Sequence, residues 1–263
     1  MTMNVPRAAH LLDEYVKTMV GAMSEQTLRV ELAAVFRLAA KFGWHESVAN
    51  HFSAAVSEDG QTFLLNPRWR HFSQVRASEL LLLDAEDESI MNEPDAPDLS
   101  AWSIHGAVHA SLPNVRALLH VHSPYATAVA SLKDPTIVPI DQNTARFFGE
   151  VAYDLEFGGI ADDFEEGQRL AGLFEEHEVL MMGNHGVAVA SSTIAGAFES
   201  LYYLERACQT LVLAYSTGQP LSVLSDDMAA KVAKGWKQFD GMGQAHLDQW
   251  METLDKEDPS YRD

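Results

Sequence analysis

His120 and His122 lie two residues apart at the end of the run Val115-Arg116-Ala117-Leu118-Leu119, and His185 stands in Gly183-Asn184-His185-Gly186, directly after a second apolar run. A strand directs residues i and i+2 to the same face, so both imidazoles of His-Val-His can converge on one ion. Polar rings placed where an apolar pattern would otherwise continue are explained by ligation better than by packing. The glycines near His185 let the backbone turn sharply and bring its ring close to a site, although the same segment also reads as an ordinary Asn-containing turn. Together the three histidines are expected to bind one divalent metal ion and leave positions open for a substrate. Zinc is the first choice, with iron, manganese, cobalt or nickel as other occupants.

His105 and His109 form a competing pair, at i and i+4 on one helix face. The zinc-protease pattern on a helix is His-Glu-x-x-His, and here Gly106 follows the first histidine, so the general base of that chemistry is missing. A separate helical metal site is not expected, though one of the two could line the pocket.

The elements that must position these residues are legible from periodicity. Leu28, Leu32, Val35, Phe36 and Leu38 mark a helix from Glu25 to Phe42 that stops at Gly43. Ala54 to Val56 and Thr62 to Leu65 flank a Ser-Glu-Asp-Gly turn and read as a hairpin, followed by a buried strand from Leu80 to Leu83. A polar, proline-containing loop precedes a helix from Ser100 to Ser111. The strand ending in His-Val-His is followed by a helix from Ser123 to Leu132, short strands near Thr136 to Pro139 and Glu150 to Ala152, and a helix around Phe164 to Phe174. Val179 to Met182 and Gly186 to Ala190 bracket the His185 turn, and Thr193 to Ser216 forms a long amphipathic helix. Strands and helices mixed throughout predict one compact α/β domain over residues 1–220, with residues 221–263 as a helical tail able to pack on another subunit.

The chain of 263 residues is 47% hydrophobic and 21% charged, enough to bury a sizeable core. Its formal charge of −20 repels nucleic acid and anionic lipid, so neither is an expected partner. It does not exclude a small anion, because Arg68, Arg70 and Arg146 could reverse the field inside a pocket. No stretch reaches the roughly 18 apolar residues of a spanning helix, and residues 1–10 lack the apolar block of a secretory signal, so the cytoplasm is the expected location. The single cysteine, Cys208, lies in a helical apolar setting and reads as a core thiol.

With these residues in view, the chain resembles the class II aldolase/adducin superfamily. The likeness is carried by His120-Val121-His122-Ser123-Pro124-Tyr125, by Asn184-His185-Gly186 and by Tyr202-Tyr203-Leu204-Glu205-Arg206, in that order. The resemblance implies an αβα sandwich around a mostly antiparallel sheet, a metal at a subunit edge held by the three histidines, and a homotetramer. Sugar-phosphate aldolases of this family carry a Glu in a Ser-Glu-Trp-like motif, where this chain reads Ser100-Ala101-Trp102. An alanine can neither bind a metal nor carry a proton. The phosphate-binding turns of those enzymes are replaced by Asn50-His51-Phe52-Ser53 and Asn66-Pro67-Arg68-Trp69. The chain is thus identified as a divergent, bacterial-type member lacking the aldolase Glu. Arg68, Trp69, Arg70 and His71 are expected to hold a non-phosphorylated carboxylate or an aromatic ring, unless they only decorate a solvated loop.

The function expected first is a metal-dependent lyase that stabilises the enolate formed as a C–C bond breaks, by retro-aldol cleavage or decarboxylation of a small oxygenated carboxylate. Tyr125, His51 or Tyr153 would carry the proton in place of the missing Glu. Two other readings stand beside it. One is a non-haem Fe(II) oxygenase acting on an aromatic 2-oxo or 2-hydroxy acid. The other is an adducin-like binding module, which has no need of an open metal site.

Overall fold

The computed structural model describes residues 23–94, 96–156, 164–174, 177–239 and 241–263. Helix α1 (Glu25–Phe42) begins where the Ser24 hydroxyl accepts the Thr27 N–H and ends at Gly43, whose left-handed φ of 72° directs its N–H back to the Ala39 and Ala40 carbonyls. Strands β1 (His51–Ala55), β2 (Thr62–Leu65) and β3 (Leu81–Asp84) form an antiparallel meander. Helix α2 (Leu99–Ser111) starts at Asp98, which caps the N–H groups of Ser100 and Ala101, and leads into β4 (Ala117–Val121). Then follow α3 (Pro124–Ala130), α4 (Gln142–Ala145), β5 (Val151–Asp154), α5 (Phe164–Phe174), β6 (Val179–Met182), β7 (Gly186–Ser191) and α6 (Ile194–Ser216). The residues from 221 onward supply α7 (Asp226–Trp236) and α8 (Met242–Glu257).

The seven strands form one sheet in the order β3-β2-β1-β4-β7-β6-β5, antiparallel at every step except β5 with β6. Alternation along each strand divides the core between the two faces. Phe52, Leu64, Leu119, Val121, Met181 and Val189 point to the side covered by α1 and α6, where Leu247, Leu254 and Tyr261 of the C-terminal segment join the same cluster. Leu118, Leu180, Met182 and Ala190 point to the other side, against Ile104 and Val108 of α2 and Leu170, Ala171 and Phe174 of α5. The result is the αβα sandwich with a mostly antiparallel sheet. Cys208 lies in the first of these clusters, fully buried, and desolvation pushes its thiol pKa well up. Among the described residues, no helix is long and apolar enough to cross a membrane.

One expected element does not form. Thr136 to Pro139 has no strand partner, since Pro135 and Pro139 lack the N–H a ladder needs; instead Ile137 donates its N–H to the Tyr153 hydroxyl at 3.0 Å and the Pro139 carbonyl accepts the Leu224 N–H at 2.9 Å.

Helices α2 and α5 approach closely because Gly167 has no side chain: a Cβ there would stand 2.6 Å from the Ser103 carbonyl oxygen. A backbone atom cannot rotate away, so overpacking of about 1–3 kcal/mol outweighs the roughly 1 kcal/mol by which alanine favours a helix over glycine. Gly167→Ala is therefore expected to lower unfolding free energy by up to about 2 kcal/mol in urea titrations. A stabilised variant would show that the two helices have room to part.

Candidate metal centre and its cavity

Strand β4 carries His120 on the face it shares with Leu118, and His122 follows on the same side just past the strand end. The tight turn between β6 and β7 supplies His185. Asn184 holds this turn with a left-handed φ of 56° and donates its N–H to the Ala130 carbonyl at 3.1 Å. Gly186 is obligatory beside it, because a Cβ would meet the Val121 carbonyl oxygen at 2.6 Å and the His122 ring at 2.7 Å. Ring centroids of the three histidines stand 4.8 to 5.1 Å apart, and one ligand nitrogen from each lies within 4.8 Å of the others.

Their protonation suits a cation. His120 donates its Nδ1–H to the Val187 carbonyl at 3.0 Å, which leaves the Nε2 lone pair free. His122 Nε2 is buried with no hydrogen-bond partner among the described residues. Burial lowers the pKa of all three, His185 to about 4 and His120 well below its ordinary value, so the rings are neutral at pH 7. A buried imidazole nitrogen among neutral rings is a donor set that could hold a divalent ion. Glu46 Oε2 lies 3.9 Å from His122 Nδ1 at the solvent side.

The position of the pair depends on groups at a distance. Glu205 of α6 is buried and accepts the Ser123 hydroxyl at 2.7 Å and the N–H groups of Tyr125 and Ala126 at 2.9 and 2.8 Å, capping α3 immediately after His122. Asn50, at φ 71°, accepts the His122 N–H with its side chain at 3.4 Å. Neither role follows from local periodicity; an Asn before a strand and a Glu on a helix are signals too common to single out.

A cavity of about 630 Å³ opens beside the three histidines, lined also by His51, Arg68, Trp69, Asp98, Ala101 and Ile104. The alanine of Ser100-Ala101-Trp102 thus faces the same space as the histidines. Asp98, the N-cap of α2, puts a carboxylate nearby, and the sequence alone does not single it out. The Arg68 guanidinium lies 4.7 Å over the Trp69 ring and has no ion-pair partner among the described residues. Trp69 is 72% exposed.

The other candidates lie elsewhere. Arg70 is turned away by a two-point ion pair with Glu79, at 2.6 and 3.1 Å, and His71 by hydrogen bonds to His45 and Ser73. Arg146 pairs with Glu199 between the rings of Tyr203 and Trp236. The Tyr153 hydroxyl accepts the Ile137 N–H, and Tyr125 packs against the core; neither lines the cavity. Each is engaged by contacts outside its own periodic element, which spacing in the sequence does not reveal.

His51 stands opposite His120 in the β1–β4 register, with ring centroids 4.9 Å apart. Its Nδ1 is 2.7 Å from His105 Nε2, and Ser53 Oγ joins His105 Nδ1 to His109 Nε2. His105 and His109 therefore do not form a second helical metal pair; they face the sheet, and burial lowers the pKa of both, that of His109 to about 4.

Two outcomes are expected. Trp69 holds φ at 62°, a conformation that costs a bulky residue roughly 1–2 kcal/mol, while its exposed ring contributes little burial. Trp69→Gly should leave thermal stability unchanged or raise it by up to about 1 kcal/mol, and a clear loss would place the ring in the folding energetics. For His109, a folded pKa of about 4 against an ordinary 6.5 means that the unfolded chain binds the extra proton, so stability falls as pH drops from about 6.5 toward 4. Urea midpoints between pH 7 and 4.5 should show His109→Gln lacking about 2–3 kcal/mol of that acid sensitivity; parallel curves would remove His109 from it.

Comparison with known proteins identifies the family. Residues 30–212 match the family described as Class II Aldolase and Adducin N-terminal domain. A Caulobacter vibrioides protein assigned by name to aldolase class 2 is 32% identical over 244 residues, covering 91% of this chain and 93% of that protein. The crystal structure of an aldolase II superfamily protein from Pseudomonas syringae superposes with a TM-score of 0.83 at 30% identity, over 92% of this chain and 97% of that one. L-fuculose 1-phosphate aldolase from Glaciozyma antarctica PI12 follows at 0.77 and 25%, over 91% and 93%. By its sequence, its sandwich and its clustered histidines, the chain belongs to the class II aldolase and adducin family.

Proposed function

We propose that the protein is a metal-dependent lyase that cleaves a C–C bond in a small, non-phosphorylated carboxylate, and that His120, His122 and His185 hold its divalent ion, zinc in the first instance. The single observation that carries this reading is the buried, unpartnered His122 Nε2 within ligand distance of two other neutral imidazoles at the edge of a cavity. A divalent ion bound there supplies a Lewis acid that offsets the negative charge building on a substrate carbonyl as the bond breaks.

The chain's own residues divide the remaining work. Arg68, without an ion-pair partner among the described residues and stacked on Trp69, receives the carboxylate, and the indole ring gives an aromatic or apolar substituent a surface. Asn50 and Trp69 occupy left-handed positions at the cavity and bring side chains where a close backbone approach would cradle a phosphate. With Ala101 inert and both tyrosines outside the cavity, His51 is the remaining proton carrier of the three candidates. In a retro-aldol step its Nε2 takes the proton of the β-hydroxyl, the C–C bond electrons pass to the carboxylate-bearing fragment as an enolate, and the same proton returns to carbon. The reaction is redox neutral. We place the working form in the homotetramer implied by the family resemblance.

The oxygenase reading uses the same three ligands with iron, and one experiment separates it. Protein purified without chelator should contain about one divalent ion per chain. Offered a panel of β-hydroxy and β-oxo carboxylates, it should release an aldehyde or carbon dioxide without consuming oxygen. His122→Ala should lose both the ion and the activity. Stoichiometric oxygen uptake would replace the lyase by an oxygenase, and a metal-free protein indifferent to His122→Ala would remove both.

A further inference from the structure

Four side chains run inward from the cavity in one unbroken series: His51, His105, Ser53 and His109, ending on the backbone carbonyl of Val115. Their joints are His51 Nδ1 to His105 Nε2 at 2.7 Å, His105 Nδ1 to Ser53 Oγ, Ser53 Oγ to His109 Nε2 at 2.7 Å, and His109 Nδ1 to the Val115 oxygen at 2.9 Å. All four are buried, Ser53, His105 and His109 completely. Burial of this kind keeps the three imidazoles neutral, so each ring carries one N–H and one lone pair.

Only one arrangement of protons satisfies every joint. A carbonyl oxygen accepts and never donates, so His109 must carry its hydrogen on Nδ1, and its Nε2 must accept. Ser53 then donates its hydroxyl hydrogen to His109 and accepts from His105 Nδ1–H. His105 Nε2 is left to accept, and His51 must donate from Nδ1. The lone pair of His51 therefore sits on Nε2, on a ring that lines the cavity and faces His120 across the β1–β4 pair.

We infer that His105, Ser53 and His109 are positioning residues whose hydrogen-bond polarity, set by the Val115 carbonyl, fixes His51 as the Nδ1–H tautomer and so makes its Nε2 the proton acceptor of the cavity. The role given to His51 rests on the lyase reading above; the polarity of the series does not. Gly60 belongs to the same device. A Cβ there would stand 2.1 Å from the His109 carbonyl oxygen, so this glycine lets the β1–β2 turn close over the helix that carries both inner histidines.

The test reads tautomers directly. In protein labelled with 15N-histidine, at pH 7 and without added metal, His51 should show a protonated Nδ1 and a lone-pair Nε2, assigned by comparison with His51→Gln. Ser53→Ala deprives His105 Nδ1 of its acceptor, so the His51 N–H should redistribute toward Nε2. His109→Gln offers an amide N–H to Val115 and an amide oxygen to Ser53, and should keep the wild-type pattern, whereas His109→Phe should behave as Ser53→Ala. If Ser53→Ala fails to fold, the His109 pair makes the same comparison. In zinc-loaded protein with an accepted substrate, Ser53→Ala and His109→Phe should lower kcat about 10- to 100-fold with little change in KM, and His109→Gln should restore it. A wild-type His51 protonated on Nε2, or a pattern unmoved in both Ser53→Ala and His109→Phe, overturns the inference. A correct tautomer pattern in a protein without lyase activity would sink the reaction and leave the polarity standing.

Discussion

The register of β4 between β1 and β7 is the constraint on which the site depends. His120 lies opposite His51 on one side and Ala188 on the other, and a one-residue slip of β4 would turn His120 to the opposite face of the sheet, away from His51 and Ser53. That face is packed with Phe52, Leu119, Val121 and Val189, where no imidazole would find a partner. The hydrophobic pattern that specifies the core thus specifies the polar site as well. The alternation of β4 puts Ala117, Leu119 and Val121 toward α1 and α6, which obliges Leu118 and His120 to point the other way.

Burying so many imidazoles in one place is unfavourable unless each is neutral and its nitrogens are satisfied. The fold meets this in two ways. On the interior side, backbone carbonyls at Val187 and Val115 take N–H groups from His120 and His109 and dictate where the remaining lone pairs lie. On the cavity side, a nitrogen of His122 is left without a partner among the described residues. Because carbonyls only accept, the backbone of β7 and of the segment before β4 acts as a set of fixed instructions to the rings it meets. Backbone strain accompanies the arrangement: Asn50, Trp69 and Asn184 all hold left-handed conformations around the one cavity.

The sequence reveals those parts of the site that sit on one periodic element. His120 and His122 are readable because two-residue spacing on a strand is itself a statement about direction, and His185 because its turn is flanked by glycines. The sandwich was visible in the family resemblance, and most helices and strands in their apolar periods. The parts that escaped are decided by contacts between distant segments. Arg70 looks as available as Arg68 until Glu79 is seen beside it, and Tyr153 looks as free as any tyrosine until Ile137 donates to it. His105 and His109 show the converse. Their i, i+4 spacing correctly put two rings on one helix face, but only the sheet's register shows that Ser53 lies between them.

The alanine at position 101 gives these observations a common direction. A carboxylate at that place would share the cavity with three neutral histidines and could serve as ligand or base. Its replacement by a methyl group removes an anion from a space that Arg68 already biases toward anions. A cavity with one fewer negative charge holds an acidic substrate more readily, even in a chain whose formal charge is −20, since nearby groups outweigh a screened distant surface. In the proposed reaction the same loss leaves proton transfer to a neutral base. An imidazole whose tautomer is fixed from behind can accept a proton without first placing a second negative charge beside the substrate carboxylate. On this view the missing Glu and the buried histidine series are two sides of one change: the proton carrier has moved from the first turn of α2 to the start of β1, and the helix that lost a carboxylate at Ala101 supplies, one turn further along, the ring that orients its successor.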